Sequence, residues 1–232
     1  MTATNTTSHL DTTQRQLFEL RFERVAPGHG LAALRRWYRG LPWQPEGLWS
    51  ASAGRDLPAV VSLHRWPTLA QREAQFGQAL DDAPAQQLRR ASADGPAALR
   101  SAESWILVDS PAADALLHRA TAPQALHELR VHKVLNGAGR EAAEVLATLE
   151  LPALVQQGAL LRGLYELAIG PHRPILVTLL AWPDGTAPGA AWHQLDASPP
   201  LAAARDAERS RHRRRLFGDT EHYLLTPLHR DA

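Results

Sequence analysis

The chain has 232 residues, 44% hydrophobic and 21% charged, which is long enough for one large or two small globular domains. Its 25 basic and 24 acidic residues nearly cancel, which excludes a global attraction to nucleic acid or to a membrane surface. Cysteine is absent, which excludes disulfides, thiolate metal sites and thiol nucleophiles. Lys133 is the only lysine among many arginines and alanines, a bias that favours a bacterial, GC-rich source.

The first residues have no pattern of regular structure. Residues 1–16 are polar, rich in threonine and without an apolar period, so we predict a disordered tail there. The start lacks the basic and apolar regions of a secretion signal, and the longest apolar run, residues 175–182, is too short to span a bilayer. These features predict a cytoplasmic protein.

From residue 17 the periodicity predicts the order strand, helix, strand, strand, helix, strand. Alternation over residues 18–23 is typical of a half-buried strand, and the next stretch shows a helical stripe. Strands at 47–53 and 59–66 flank a turn that contains Gly and Pro, which predicts a hairpin. Residues 68–71 match a capping box, so a second helix should begin there. The apolar side chains predicted to point inward from the two helices are Leu31, Leu34, Tyr38 and Leu41, then Leu69, Phe76 and Leu80.

The same pattern occurs twice in the chain. Residues 18–25 recur at 127–134, an offset of 109, and residues 47–67 align without gaps to 163–183 with eight identities. The sequence therefore predicts ferredoxin-like βαββαβ units at 17–110 and 126–228, joined by a linker at 111–125. Each antiparallel sheet has one face without helices, so we expect the two α+β units to pack sheet to sheet.

The first-strand motif Glu-Leu-Arg and the Trp-Pro after the hairpin resemble the NIPSNAP family. The matching positions are Glu19, Leu20, Arg21, Trp66 and Arg72 in the first repeat, and Glu128, Leu129, Arg130 and Trp182 in the second. The second repeat has no counterpart of Arg72, because residues 184–189 interrupt the start of that helix. The resemblance implies a dimeric α/β barrel, here with both halves in one chain. That superfamily includes haem-binding enzymes, cofactor-free monooxygenases and proteins of unknown role.

Strand parity predicts which polar side chains share a face. Val61 and Leu63 are apolar in both repeats, which favours packing against the helices and turns the alternate residues into the space between the sheets. That alternate set comprises Glu19, Arg21, Glu23, Ser62, His64 and Trp66 in the first repeat, and Glu128, Arg130, His132, Thr178, Leu180 and Trp182 in the second.

Such a lining favours a small anionic or aromatic ligand. In a metal-free acid–base enzyme the catalytic residues would be His64 as general base, Arg21 as anion clamp and Glu23. The expected ligand-binding residues are Glu19, Ser62, Trp66, Glu128, Arg130, His132 and Trp182. A structural alternative is that the Glu–Arg pairs only join strands and that His64 is a satisfied polar residue.

Two further alternatives stay open. One is a non-catalytic binding or interaction module of NIPSNAP type, and the other is a haem enzyme with His64 as the iron ligand. No metal or haem motif is present, so we expect no cofactor.

Residues 208–215 contain five arginines but lie on a predicted helix beside acidic residues, which indicates a solvated face and not a nucleic-acid site. The expected partner is a small molecule, not nucleic acid or a membrane, and formation of a homo-oligomer stays open.

Overall fold

The computed structural model describes residues 15–90, 96–118, 124–171 and 173–228. Most of the predicted tail, residues 1–14, and part of the predicted linker, residues 119–123, lie outside the described residues. Arg15 and Gln16, at the end of the predicted tail, are held by hydrogen bonds to Asp109. Within the described ranges, no helix combines the length and the apolar character needed to cross a membrane.

The first half of the chain forms what we call unit 1. Its elements are β1 (Leu17–Val25), α1 (Gly30–Gly40), β2 (Gly47–Ala53), β3 (Ala59–Trp66), α2 (Leu69–Asp81), α3 (Ala83–Arg89) and β4 (Leu99–Asp109). The strands lie in the order β4-β1-β3-β2, and each pair is antiparallel. This is the βαββαβ order that the sequence predicts, with the short additional helix α3.

The second half forms unit 2, after a short 3₁₀ helix (Pro111–Leu116). Its elements are β5 (Leu126–Val134), α4 (Gly139–Val145), a π-helical turn (Leu146–Glu150), α5 (Leu151–Gln156), β6 (Leu160–Ile169), β7 (Ile175–Trp182), α6 (Ala187–Asp196), α7 (Pro199–His212) and β8 (Phe217–Pro227). The order β6-β7-β5-β8 repeats that of unit 1.

The two sheets join at their edges into one closed barrel of eight strands. Strand β2 pairs with β8, and β4 pairs with β6, both antiparallel. The fold is therefore α+β, with two ferredoxin-like units whose sheets enclose a common interior and whose helices lie outside.

The barrel interior is apolar, and this corrects the predicted orientation of the strands. Val61 and Leu63 belong to a cluster built only from strand residues of both units, which include Leu129 and Val177. Aromatic rings also fill the interior: the Phe22 ring centroid lies 5.2 Å from that of Trp105 and 5.0 Å from that of Tyr223. The prediction that Val61 and Leu63 face the helices is wrong, because alternation shows which residues share a face but not which element covers it.

The predicted polar set therefore lies between each sheet and its own helices. In unit 1, Trp66 belongs to the cluster formed with α1 and α2. In unit 2, Trp182 belongs to the corresponding cluster with α4 to α7. The prediction that these residues face the space between the sheets is wrong, since the apolar side of both sheets fills that space.

Most of the local predictions in unit 1 hold. Thr68 caps α2, and its side chain accepts a hydrogen bond from the backbone N–H of Gln71 at 3.1 Å, which confirms the predicted helix start. Phe76 is fully buried as predicted, whereas Leu69 is 42% exposed, so its predicted inward position is wrong. Leu69 is the first residue of α2.

Two glycines at matching positions of the units lie under aromatic rings of the barrel interior. A Cβ at Gly163 would overlap the ring of Tyr165, and one at Gly47 would overlap that of Trp49. Residues two apart on a strand share a face, so each ring folds back over its glycine.

We expect Gly163→Ala to lower the free energy of unfolding by about 1–3 kcal/mol, because the added methyl group must displace the buried ring. Gly77→Ala is the control, since Gly77 lies in α2 and an added Cβ would meet no atom within 4 Å. Helix propensity should make that variant more stable by about 0.5–1 kcal/mol. Urea unfolding measures both, and equal stability of Gly163→Ala and wild type would contradict the close approach.

Candidate functional site

The polar residues of unit 1 form a closed ion-pair network around Arg21. The Arg21 guanidinium lies 3.3 Å from Glu19 Oε1 and 3.2 Å from Glu23 Oε1, and its carbon is 4.2 Å from the Phe76 ring centre. Both glutamates are fully buried, and Arg21 is 4% exposed. Burial disfavours the charged guanidinium, but the negative charges of Glu23 and Glu19 outweigh this and raise its pKa.

His64 lies at the other end of this network. Tyr38 donates to Glu23 at 2.6 Å and is hydrogen-bonded to Ser62 at 2.8 Å, and His64 Nε2 is 3.1 Å from Ser62 Oγ. The imidazole is stacked between the rings of Tyr38 and Trp66, with centroids 5.9 and 6.0 Å away. Burial lowers the pKa of His64 to about 4, so the ring is neutral at pH 7.

Glu19 connects the network to α2. It accepts hydrogen bonds from Trp66 Nε1 at 3.1 Å, from Arg72 Nε at 3.0 Å and from the Ser104 hydroxyl. Burial opposes ionisation of Glu19, but the hydrogen bonds from Arg72 and Ser104 and the charge of Arg21 outweigh it and lower its pKa to about 2. Every charge in this network has a partner of opposite sign.

A haem group does not fit at His64. The ring has the rings of Tyr38, Trp66 and Phe76 around it, with centroids 5.8–6.0 Å away, and it is 1% exposed. A porphyrin could reach this histidine only by displacing these aromatic side chains. The residues around His64 therefore do not support its assignment as an iron ligand.

Unit 2 differs from unit 1 at three positions around the equivalent arginine, Arg130. The registers of β1 and β5 place His132 where unit 1 has Glu23, and His222 where it has Ser104. In unit 1 the glutamate on the first strand, Glu19, is bonded by Arg72 from α2. In unit 2 the equivalent Glu128 is bonded instead by Trp192 from α6, whose Nε1 donates at 2.9 Å. Trp182 donates to the same carboxylate at 3.1 Å.

Arg130 consequently has fewer partners than Arg21. Its Nη2 donates to His222 Nε2 at 3.0 Å, which requires the His222 proton to be on Nδ1, 3.5 Å from Glu128. Its Nε and Nη1 are buried and have no hydrogen-bond acceptor among the described residues, and Nη1 is 3.8 Å from Glu128. The guanidinium carbon lies 3.2 Å from the Trp192 ring centre. Burial, only partly offset by the charge of Glu128, lowers the pKa of Arg130 to about 10.

His132 is equally buried but lacks a carboxylate partner. It is 3% exposed, and its Nε2 is 3.2 Å from Thr178 Oγ1. Burial, reinforced by the positive charge of Arg130, lowers its pKa to about 3. His132 therefore stays neutral over the physiological range.

Arg130 and His132 line a cavity of about 600 Å³ between β5, β8 and the helices of unit 2. The helical wall adds Glu150 from the π-helical turn, Trp192 from α6 and Glu208 from α7. Sequence reasoning missed these three residues and His222. Glu208 belongs to the run predicted to be solvated, yet it is only 7% exposed.

A larger groove, of about 910 Å³, lies between α1, α3 and the end of α2 in unit 1. None of the residues predicted for a site lines it. Among the described residues, no three His, Asp or Glu side chains lie together in a way that could hold a metal ion. The absence of a bound metal remains a sequence-based prediction.

The comparisons with known proteins concern the fold. No protein-family model matches the sequence, and neither does any curated protein sequence. An anthrone oxidase-like protein aligns over 94% of this chain and 93% of its own, with a TM-score of 0.57 and 15% identity. Chlorite dismutase from Candidatus Nitrospira defluvii aligns over 93% of both chains, at TM-score 0.54 and 11% identity. The chain has the dimeric α/β-barrel fold.

Two further solved structures also align with this chain. A heme-binding protein from Thermus thermophilus aligns over 93% of this barrel and 92% of its own chain, with a TM-score of 0.53 and 13% identity. A NIPSNAP domain protein from Burkholderia xenovorans aligns over 99% of its own length but 46% of this chain, with a TM-score of 0.37 and 22% identity. At these identities the likeness concerns architecture, and membership of the NIPSNAP family remains a hypothesis.

Proposed function

We propose that this barrel protein binds a small organic molecule with an anionic group in the cavity of unit 2, with Arg130 as the anion-binding residue. The observation that carries the proposal is that Arg130, which lines this cavity, has two buried N–H groups without an acceptor among the described residues. A buried donor left unpaired costs about 1–3 kcal/mol, and more when it is charged. A bound carboxylate or phosphate would supply an acceptor for one of these donors in a charge-assisted hydrogen bond, since the Nε–H and Nη1–H groups point away from each other.

The contrast between the units supports this proposal. Arg21 occupies the same strand position as Arg130 but is paired with two glutamates and covered by Phe76. A purely structural arginine in unit 2 would be expected to have the same compensation. The cavity volume, about 600 Å³, falls within the range of small-molecule sites, which span roughly 300–1,000 Å³. The heme-binding protein and the chlorite dismutase of similar fold also handle small molecules, by their names.

For Arg21, Glu23 and His64 we favour a structural role over catalysis. They form a buried network in which the charges are paired, and the imidazole is enclosed by aromatic rings. If the protein is an enzyme, we propose that its acid–base chemistry involves the cavity residues of unit 2, where Arg130 would orient the substrate. The interaction-module alternative of NIPSNAP type predicts no small-molecule ligand at all.

The test compares Arg130→Met with Arg21→Met. Ligands are sought by thermal shift in a panel of mono- and dicarboxylates and phosphate monoesters, and affinities are then measured by calorimetry. We expect Arg130→Met to weaken binding by about ten-fold or more, because a charge-assisted hydrogen bond is lost. Its stability should stay equal to wild type or rise, since an undercompensated buried charge is removed.

Arg21→Met is the matched control, and it should show the opposite behaviour. Its loss leaves the buried Glu23 without a cation and Glu19 with Arg72 alone, so stability should fall while the folded fraction still binds the ligand. The proposal is refuted if no compound in the panel binds, or if Arg130→Met binds as tightly as wild type.

A further inference from the structure

The helical wall of the unit 2 cavity carries unpaired negative charge. Glu208, on α7, is 7% exposed and lines the cavity, and its Oε1 is buried without a hydrogen-bond partner among the described residues. Burial, reinforced by the nearby Glu141, raises its pKa, although Arg205, His212 and Arg211 act in the opposite direction. Glu208 is thus an acceptor without a full partner, as Arg130 is a donor without one.

Glu150 extends this acidic wall. It is 7% exposed, and burial raises its pKa even though Arg130 and Arg205 lie near it. Its position comes from the π-helical turn, in which the N–H of Leu151 bonds the carbonyl of Leu146, five residues earlier. Pro152 follows in the first turn of α5 and has no N–H to continue an α-helical series. Such turns occur frequently at functional sites.

One arginine only partly neutralises this wall. Arg205 lies 3.8 Å from Glu150 and 3.3 Å from Asp196, and its own side chain is 45% exposed. It therefore shares one charge between two carboxylates, and Glu208 Oε1 still has no hydrogen-bond partner in the described chain. Because the cavity lining contains as many carboxylates as arginines, a purely anionic ligand would meet no net attraction.

We propose that the ligand of this cavity is a zwitterion, a small amino acid-like molecule with its carboxylate on Arg130 and its ammonium group on Glu208 and Glu150. An ammonium group donates three hydrogen bonds and would satisfy the free oxygen of Glu208. A metal ion is the less suitable cation, because no three potential ligand side chains converge in the described residues. This inference rests on the proposed function of the cavity and adds the cationic half of the ligand.

The experiment uses matched triplets of compounds. Each of the twenty amino acids, with β-alanine and 4-aminobutanoate, is compared with its deaminated acid and its decarboxylated amine by thermal shift and then calorimetry. We expect at least one amino acid to bind about ten-fold more tightly than either of its halves, since each end adds a charge-assisted hydrogen bond.

Glu208→Gln should reduce the margin of the amino acid over its deaminated acid, with Glu150 left as the only anionic partner of the ammonium group, and it should leave the affinity for that acid within about two-fold of wild type. Glu144→Gln is the control, because Glu144 lies on α4 of the same unit, does not line the cavity, has 63% of its side chain exposed and should change neither. Arg130→Met should weaken the acid and the amino acid alike.

The outcomes separate the two proposals. If a deaminated acid or an amine binds as tightly as its amino acid, or if Glu208→Gln keeps the margin, the zwitterion is refuted and the anion site stands. If no member of any triplet binds, the zwitterion is refuted, and the anion site is decided separately by the panel of carboxylates and phosphate monoesters.

Discussion

At pH 4 the protein is expected to have lost about 3 kcal/mol of unfolding free energy for each of two buried histidines, relative to pH 6.5. Burial lowers the pKa of His64 to about 4 and that of His132 to about 3, whereas both titrate near 6.5 in the unfolded chain. Below pH 6.5 the unfolded chain therefore takes up protons that the folded barrel does not. Each histidine contributes a slope of about 1.4 kcal/mol per pH unit until its folded pKa is reached.

Three acidic groups modify this slope at lower pH. Glu19, with its pKa lowered to about 2, stabilises the fold above 4.5, and this contribution is lost between pH 4.5 and 2. Glu150 and Glu208 act oppositely, because burial raises their pKa and the folded protein takes up their protons earlier. Small domains have a total stability of about 5–15 kcal/mol, so unfolding should begin between pH 5 and 4.

Urea unfolding at half-unit steps from pH 7 to 4 measures the effect. His64→Leu is the informative variant, because Leu180 holds the equivalent position in unit 2 and shows that the fold accepts leucine there. We expect it to remove about half of the pH dependence above pH 4.5. A slope unchanged by this substitution would show that His64 is protonated in the folded state.

Replacing Glu19 by glutamine is expected to lower stability by about 3 kcal/mol or more. Its carboxylate balances two guanidinium groups, with Arg72 Nη2 at 2.6 Å and Arg21 Nη1 at 3.3 Å. A neutral amide leaves Arg21 with Glu23 and Arg72 with the exposed Glu73 as their remaining anions, and removing one charge from a buried ion-pair network is strongly destabilising.

Glu128→Gln is the matched control for this prediction. Glu128 accepts hydrogen bonds from the indole groups of Trp182 and Trp192, and Arg130 stays 3.8 Å away. A glutamine oxygen can still accept from both indoles, and Arg130 is farther from Glu128 than either arginine is from Glu19, so we expect a smaller loss than for Glu19→Gln. Urea unfolding at pH 7 measures the free energy of unfolding of both variants. Equal losses would show that Glu19 stabilises unit 1 no more than Glu128 stabilises unit 2.

The sequence predicted the order of strands and helices well, because strand alternation, the Thr68 cap and the hairpin turns are local signals. It also grouped the polar residues correctly onto one side of each sheet. It assigned that side to the wrong space, since a strand such as β3, which is almost wholly buried, has no solvent face to orient it. The helices supplied Tyr38, Arg72 and Trp192 as partners, which alternation within a strand cannot reveal.

The cavity of unit 2 was harder to predict for a further reason. Its helical residues are Glu150 from the π-helical turn, Trp192 from α6 and Glu208 from α7. The lengths of these elements differ from those of the helices in unit 1, so the sequence repeat does not align them. The one signal available was the replacement of Glu23 by His132 beside an unchanged arginine. That exchange removes a negative charge from the pair, and it could have indicated an arginine that awaits an external anion.

Closure of the barrel limits how copies of this protein can associate. Each of the eight strands has a hydrogen-bonded neighbour on both sides, through β2–β8 and β4–β6 at the two junctions. Each junction joins four residue pairs, so no strand of the described chain is unpaired along the whole of one edge, although β4 and β8 extend beyond the paired residues. A complete strand from another copy could therefore join the sheet only after one of these two junctions opened.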